Sequence, residues 1–395
     1  MGLMVACGVI KIKLINSTMH MKIENEDIVK ITSEKLCTNT NWRIAYKRYA
    51  DGINENKTLL IEAADYLNKF LPKDMGLIRI YSSINLAQKS SNLARKSSVK
   101  YDLRIYGQSV ATLIVQFDKY KNKKVFLKID TEQESKNETH LKIKTPASPL
   151  RRPYEWESTE AQVILSTLIS FDGKGAAMHS EEHKLETLVL SDLAKKHIKD
   201  GKKLPFIRPV ILGGLGFFQM RTPFGASNHN SKDYPKYSMR QGKAASGGGI
   251  DILARIQHDK GKWRLAVIEL KDGNDKKEPQ PLVMQQALVY ATFIAHLLRD
   301  ESCGNSWYNI FRNRENEVVL KEETELHIDV ITMMPPIPFN KNKEPIYEEG
   351  KMDQIIVPNI PKVILHPSTI YIDAELETSK IKKVYGSLID DKRKV

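Results

Sequence analysis

Three residues stand out for types and spacing that could do chemistry: Asp251, Glu269 and Lys271. Side chains alternate along a strand, so Asp251, Leu253 and Arg255 share one face of a short predicted strand, and Ile250, Ile252, Ala254 and Ile256 share the other. The polar run Gln257 to Lys262, which holds Asp259, Lys260 and Gly261, reads as a turn. A second strand follows from Trp263 to Lys271, with Ala266, Ile268 and Leu270 on its apolar face and Glu269 and Lys271 on the opposite one. So short a connection predicts antiparallel pairing. One face of the hairpin then offers an Asp, a Glu and a Lys side by side. Adjacent carboxylates repel each other unless a cation lies between them. Oxygen ligands suit a hard ion such as Mg²⁺, with Mn²⁺ as a substitute, and that ion also binds phosphate. The backbone carbonyl of Leu270 is a further candidate ligand. A lysine beside a metal-bound water can orient or deprotonate it. Together these groups describe phosphodiester hydrolysis.

The pattern of Asp251, then Glu269-x-Lys271 beginning 18 positions later, resembles the active site of the PD-(D/E)XK nuclease superfamily. The chain departs from that pattern in having Ile250, not Pro, before the Asp. Downstream, Gln286-Ala-Leu-Val-Tyr290 is similar to the Q-x-x-x-Y of the RecB-like branch, and its i, i+4 spacing puts both side chains on one helical face. The resemblance implies an α/β chain, α+β overall, with a restriction-endonuclease-like αβββαβ core. It implies Mg²⁺-dependent hydrolysis that leaves a 5′-phosphate and a 3′-hydroxyl. It gives Gln286 and Tyr290 the task of steadying the substrate or the catalytic Lys.

The resemblance also implies an acidic residue from the first core helix beside the hairpin. A helix predicted over Ser180 to Lys199 has an apolar face of Leu185, Leu188, Val189 and Leu193. Glu182 falls within that face and Glu186 at its edge. A carboxylate on an apolar stripe is costly unless it is paired or bound to metal. Glu182 is the first candidate, Glu186 the second, and Glu157 and Glu160 on the preceding helix are rivals.

The 395 residues predict two or three domains, and a formal net charge of +13 points to a polyanionic partner. Beside a candidate metal-phosphate site, that partner is expected to be nucleic acid, DNA ahead of RNA. Two basic stretches could grip phosphates: Lys89, Arg95 and Lys96 in a serine-rich loop, and Lys236, Arg240 and Lys243 in a long polar loop with Tyr234 and Tyr237. The Gly213-Gly-Leu-Gly216 run lacks the spacing of a nucleotide loop, and no helicase or ATPase motif is present. Any motor would therefore come from a partner chain, and a homodimer is the other expected assembly. Cys7, Cys37 and Cys303 form no C-x-x-C pair, which fits a reducing cytoplasm. The apolar opening run is too short to span a bilayer and lacks the basic start of a signal peptide, so no membrane role is expected.

Stepping from helical periodicity over residues 24–72 to strand alternation at 77–81, 101–106, 109–117 and 124–129, the first 150 residues read as an α+β domain with a nucleic-acid-binding or sensor role. Residues 130–153, polar and then Pro-rich, read as its linker. Residues 151–345 form the nuclease-like domain, with Pro205 to Met220 as its first strand and Leu326 to Met333 as its last. Residues 346–395 hold C-terminal strands and a tail. The function expected is a DNA endonuclease of restriction or antiviral defence. The alternatives are a ligand-gated or RNA-cleaving nuclease, and an inactive nucleic-acid binder on the same fold.

Overall fold

A computed structural model describes residues 24–83, 97–118, 120, 122–148, 152–176, 181–195, 201–211, 217–220, 222, 224–226, 236–237, 249–258, 262–271, 280–312, 318–336, 352–376, 380–386 and 388–389. The chain starts with helices α1 (Asn25–Thr38) and α2 (Thr40–Leu67). Asn39 separates them, and its side chain caps α2 by accepting from the amides of Asn41 and Trp42. Strands β1 (Arg79–Ser83), β2 (Ser97–Ile105), β3 (Gln108–Phe117) and β4 (Lys123–Lys128) follow. The β2–β3 turn holds Tyr106 and Gly107 at φ 52° and 72°, the left-handed pair that a tight hairpin demands.

The expected linker is not one. Residues 130–148 contain helix α3 (Thr131–Lys136) and a π-helical turn (Asn137–Leu141), both tied to the first sheet. Gln133 Nε2 donates to Ser109 Oγ at 2.7 Å, and Asn137 Nδ2 donates to the Val110 carbonyl at 2.9 Å. The cause is a capping box, Asp130 with Gln133, which nucleates a helix in a segment too polar to show a hydrophobic period. Strand β5 (Tyr154–Glu155) and helix α4 (Thr159–Ile169) complete this part.

Next come α5 (Glu181–Ala194), β6 (Ile207–Pro209), β7 (Phe217–Gln219), the small pair β8 (Phe224–Gly225) and β9 (Lys236–Tyr237), β10 (Ile252–Gln257), β11 (Trp263–Leu270) and α6 (Gln280–Arg299). Then follow α7 (Gly304–Arg312), β12 (Leu326–Met334), β13 (Ile355–Ile356), β14 (Val363–Glu375) and β15 (Lys380–Tyr385). Helix α7 falls between the predicted elements. Pro205 to Met220 is also not a single strand: β6 pairs with β10, whereas β7 pairs with β1 in the other sheet.

The result is a mixed α/β chain built on two sheets. One has six strands in the order β5-β4-β3-β2-β1-β7, and the other has seven, β13-β14-β12-β11-β10-β6 with β15 beside β14. Sheet pairing crosses the expected divisions: β7 joins the first sheet, and residues 355–385 add three strands to the second. In the second sheet β10 is antiparallel to both β6 and β11, and β12 runs parallel to β11 and β14. Both its faces are covered. Ile252, Ala254, Ile256, Ala266, Ile268 and Leu270 pack toward α5, while Leu253 and Val267 join the larger core with α6. That is why its strands carry near-continuous apolar runs.

Helix α6 is the central rod. Its residues from Val283 to Leu298 are all buried. Phe293 meets the Tyr46 and Tyr49 rings edge-on at 6.2 and 5.4 Å, which clasps α2 to α6. Among the described residues α6 alone is long and apolar enough to cross a bilayer, and 89% of its apolar window is buried inside the protein.

Candidate active site

Strands β10 and β11 pair with Ile252 opposite Ile268, so one step further along the register Asp251 faces Glu269. Asp251 Oδ2 accepts the Leu270 amide at 2.8 Å, which holds the half-buried carboxylate against the end of β11. The Lys271 amide donates to the Met333 carbonyl at 3.0 Å and so fixes the next residue on β12. From there the ammonium reaches across: Lys271 Nζ lies 2.9 Å from Glu182 Oε1 and 3.4 Å from Glu269 Oε1. Glu182 comes from the first turn of α5. Gln286 on α6 donates through Nε2 to the same Glu269 Oε1. Four separate elements thus converge on one point.

Glu269 is 1% exposed, yet among the described residues its Oε2 has no hydrogen-bond partner, and neither does Gln286 Oε1. Leaving a charged buried oxygen unanswered costs about 1–3 kcal/mol or more. Burial and the Asp251 charge hold the Glu269 carboxyl well above the usual carboxylate range. Burial likewise pushes Asp251 up to about 7, with Lys271 opposing and Glu186 adding to the rise. Burial would lower the Lys271 ammonium, but Glu269, Asp251 and Glu182 override it and raise its pKa. Tyr290, 1% exposed and one turn beyond Gln286, is raised by burial and then by Glu269 and Asp251, so its ring stands within the field of this cluster.

Glu186 is buried but committed elsewhere. Its Oε1 accepts Tyr81 OH at 2.7 Å, and its Oε2 lies 3.5 Å from His183 Nδ1. These neighbours were not legible in the sequence. Tyr81 lies on β1 in the other sheet, 105 positions from Glu186, with the Arg104 guanidinium 4.5 Å over its ring. His183 is raised chiefly by its contact with Glu186, and the β2–β3 turn presses on it: a Cβ added at Gly107 would stand 2.6 Å from the His183 ring. The one local signal was the i, i+3 spacing of His183 and Glu186. Glu157 and Glu160, the rival acids, are exposed.

Three carboxylates (Asp251, Glu269, Glu182) face one ammonium, a net of two negative charges when all are ionised. A single divalent cation would balance that charge, and the orphaned Glu269 Oε2 is a ready ligand. The donor set is all oxygen, which suits Mg²⁺ or Mn²⁺ over zinc. As the side chains stand, no three His, Cys, Asp or Glu among the described residues close tightly enough to hold an ion, because Lys271 Nζ lies between Glu182 and Glu269. The Leu270 side chain is fully buried, which leaves only its backbone to serve the site.

The basic candidates Lys89, Arg95, Lys96, Arg240 and Lys243 lie outside the described residues. For Lys236 the backbone alone is described, paired in β9 with Gly225. Compared with known proteins, the chain matches no family model, no curated protein and no solved structure.

Proposed function

We propose that this chain is a metal-dependent nuclease that hydrolyses phosphodiester bonds of DNA. The observation that carries the reading is the buried, partly unsatisfied carboxylate cluster at the end of the β10–β11 hairpin, with one lysine inside it. The element order supports it too. Helix α5, the antiparallel run β6, β10 and β11, helix α6 and the parallel strand β12 follow the αβββαβ order that the resemblance implies.

Asp251, Glu269 and Glu182 would hold Mg²⁺, with Mn²⁺ as a substitute. The ion would supply Lewis acidity and lower the pKa of a water so that hydroxide is available to attack phosphorus. Asp251 is held in place by the Leu270 amide, and Gln286 fixes one oxygen of Glu269, so the other would be the one to serve as a ligand. Lys271 offsets phosphate charge and orients the attacking water. Tyr290 packs behind Gln286 and keeps bulk water out. The net charge of +13 attracts the polyanionic substrate. A role in defence against foreign DNA inside the cytoplasm, as a homodimer or beside a motor chain, follows by analogy with nucleases of this type.

The test offers labelled single- and double-stranded DNA and RNA with Mg²⁺ and then with EDTA. Metal-dependent cutting of DNA is expected. Cutting confined to RNA would replace the substrate. Binding without metal-dependent cutting of any of the four would leave only a nucleic-acid binder.

A further inference from the structure

Away from the carboxylate cluster, a cavity of about 720 Å³ lies where α1, α2 and the C-terminal end of α6 meet. That volume suits a ligand the size of a mononucleotide. Its walls have two characters. Leu36, Ile44 and Ile360 offer apolar surface. Arg43 and Lys47 stand one turn apart on α2, and among the described residues neither side chain has a hydrogen bond or an ion pair. The first turn of α2 beside them carries no acidic residue, so the dipole of this 28-residue helix adds to their positive potential.

The acids nearby are unevenly placed. Asp300 is already answered by Tyr46 OH at 2.9 Å and by the Ser302 amide and hydroxyl at 2.9 and 2.5 Å. Asp51 is exposed at the wall and faces the cavity. Arg299 also lines the cavity, its guanidinium held by the carbonyls of Lys321, Thr324 and Lys362, so three cations face Asp51 and the engaged Asp300, and the surplus of one positive charge fits one phosphate group. A polyphosphate or a nucleic-acid backbone would bring further charges up against Asp51.

The floor is α6. His296 lines the cavity and holds Ser33 Oγ at 2.9 Å, while its carbonyl accepts Tyr46 OH at 3.0 Å. Ten residues earlier on the same helix, ~15 Å along its axis, Gln286 grips Glu269. We propose that this cavity binds a small organic monophosphate, its phosphate on Arg43 and Lys47 and its body against Leu36, Ile44 and Ile360, and that occupancy alters cleavage at the other end of α6. The second half rests on the nuclease reading, and the first does not.

The probe is AMP, titrated into the full chain in EDTA and followed by thermal melting, with adenosine and inorganic phosphate alongside. AMP at millimolar concentration should raise the melting temperature by ~2 °C, and adenosine should not. The double variant Arg43→Ala/Lys47→Ala, both exposed positions, should lose the shift, and Lys271→Ala should keep it. No shift with AMP or phosphate, or an equal shift in the double variant, overturns the site. In a second arm, plasmid cleavage with Mg²⁺ should change ~5-fold on adding AMP, and not in the double variant. A binding shift with unchanged cleavage overturns the coupling alone, and absence of any cleavage overturns the nuclease reading while the melting arm still decides the site.

Discussion

Asp102 and Glu269 are both strand carboxylates, one in each sheet, and their surroundings differ. Asp102 lies on the half-exposed face of β2, where Arg104 Nε and Ser109 Oγ each donate to it at 2.5 Å. Glu269 lies on β11, covered from both sides, with one oxygen shared between Gln286 and Lys271 and the other bare. A third carboxylate sharpens the contrast within the second part of the chain. Asp192 on α5 is 2% exposed, yet it accepts the Lys203 and Leu204 amides at 2.9 Å and so ties residues 203–204 back to the helix. Burial alone therefore does not mark a reactive carboxylate. What separates Glu269 from Asp192 is unmet hydrogen-bonding capacity beside like charges, an arrangement that loses stability and is retained where a ligand restores it.

The strongest way to break this contrast is to remove the cluster. Lys271→Ala or Asp251→Asn should lower metal-dependent cleavage by ~10³-fold with DNA affinity largely kept, measured by plasmid nicking and by binding in EDTA. A loss of only a few-fold for Lys271→Ala takes the lysine out of the mechanism. Asp192→Ala should do the reverse: about 3 kcal/mol less stability with the turnover of folded protein unchanged, read from urea melts and from rates normalised to active protein.

A buried neutral group gives a third comparison. Burial lowers His296 from 6.5 to about 4, so between those values the unfolded chain binds the extra proton. The His296 contribution to stability should be complete above pH 6.5 and be lost as the pH drops toward 4, by up to ~3 kcal/mol, while Asp251, raised to about 7, slopes the opposite way. His296→Asn should flatten that slope in melts taken across the window, and an unchanged slope would assign it to other groups. Glu269→Gln should remove the like-charge repulsion and let its amide donate to Gln286 Oε1, raising stability by ~1 kcal/mol while abolishing cleavage. A destabilised Glu269→Gln would mean that the carboxylate is already satisfied. The smallest effect concerns the first basic stretch: alanine at Lys89, Arg95 and Lys96 should make the salt dependence of DNA binding shallower by ~2 in log–log slope. An unchanged slope removes those three residues from the interface.

Much of this arrangement could be read from local pattern. Period-two alternation placed Asp251 against Glu269 and Lys271, and helical period placed Gln286 and Tyr290 together on α6, because strand and helix geometry act over a few residues. The capping box at Asp130 is equally local, but with no apolar stripe behind it the pattern does not announce a helix. Local pattern could not say which of Glu182 and Glu186 meets Lys271, since both lie on α5 one turn apart. Tyr81, from a strand in the other sheet, decides it by engaging Glu186, which leaves Glu182 to the lysine.

By itself the sequence determined the hairpin, its charged face, the helix behind it and the basic excess, all of which follow from backbone periodicity and composition. Tertiary structure alone decided that β7 leaves the second sheet for the first, that the C-terminal strands extend the second sheet, and that a cavity opens where α2 crosses α6. These depend on contacts between residues hundreds of positions apart, such as Ser33 with His296. The free energy of such a contact comes from packing two surfaces together, and neither segment carries a mark of the other.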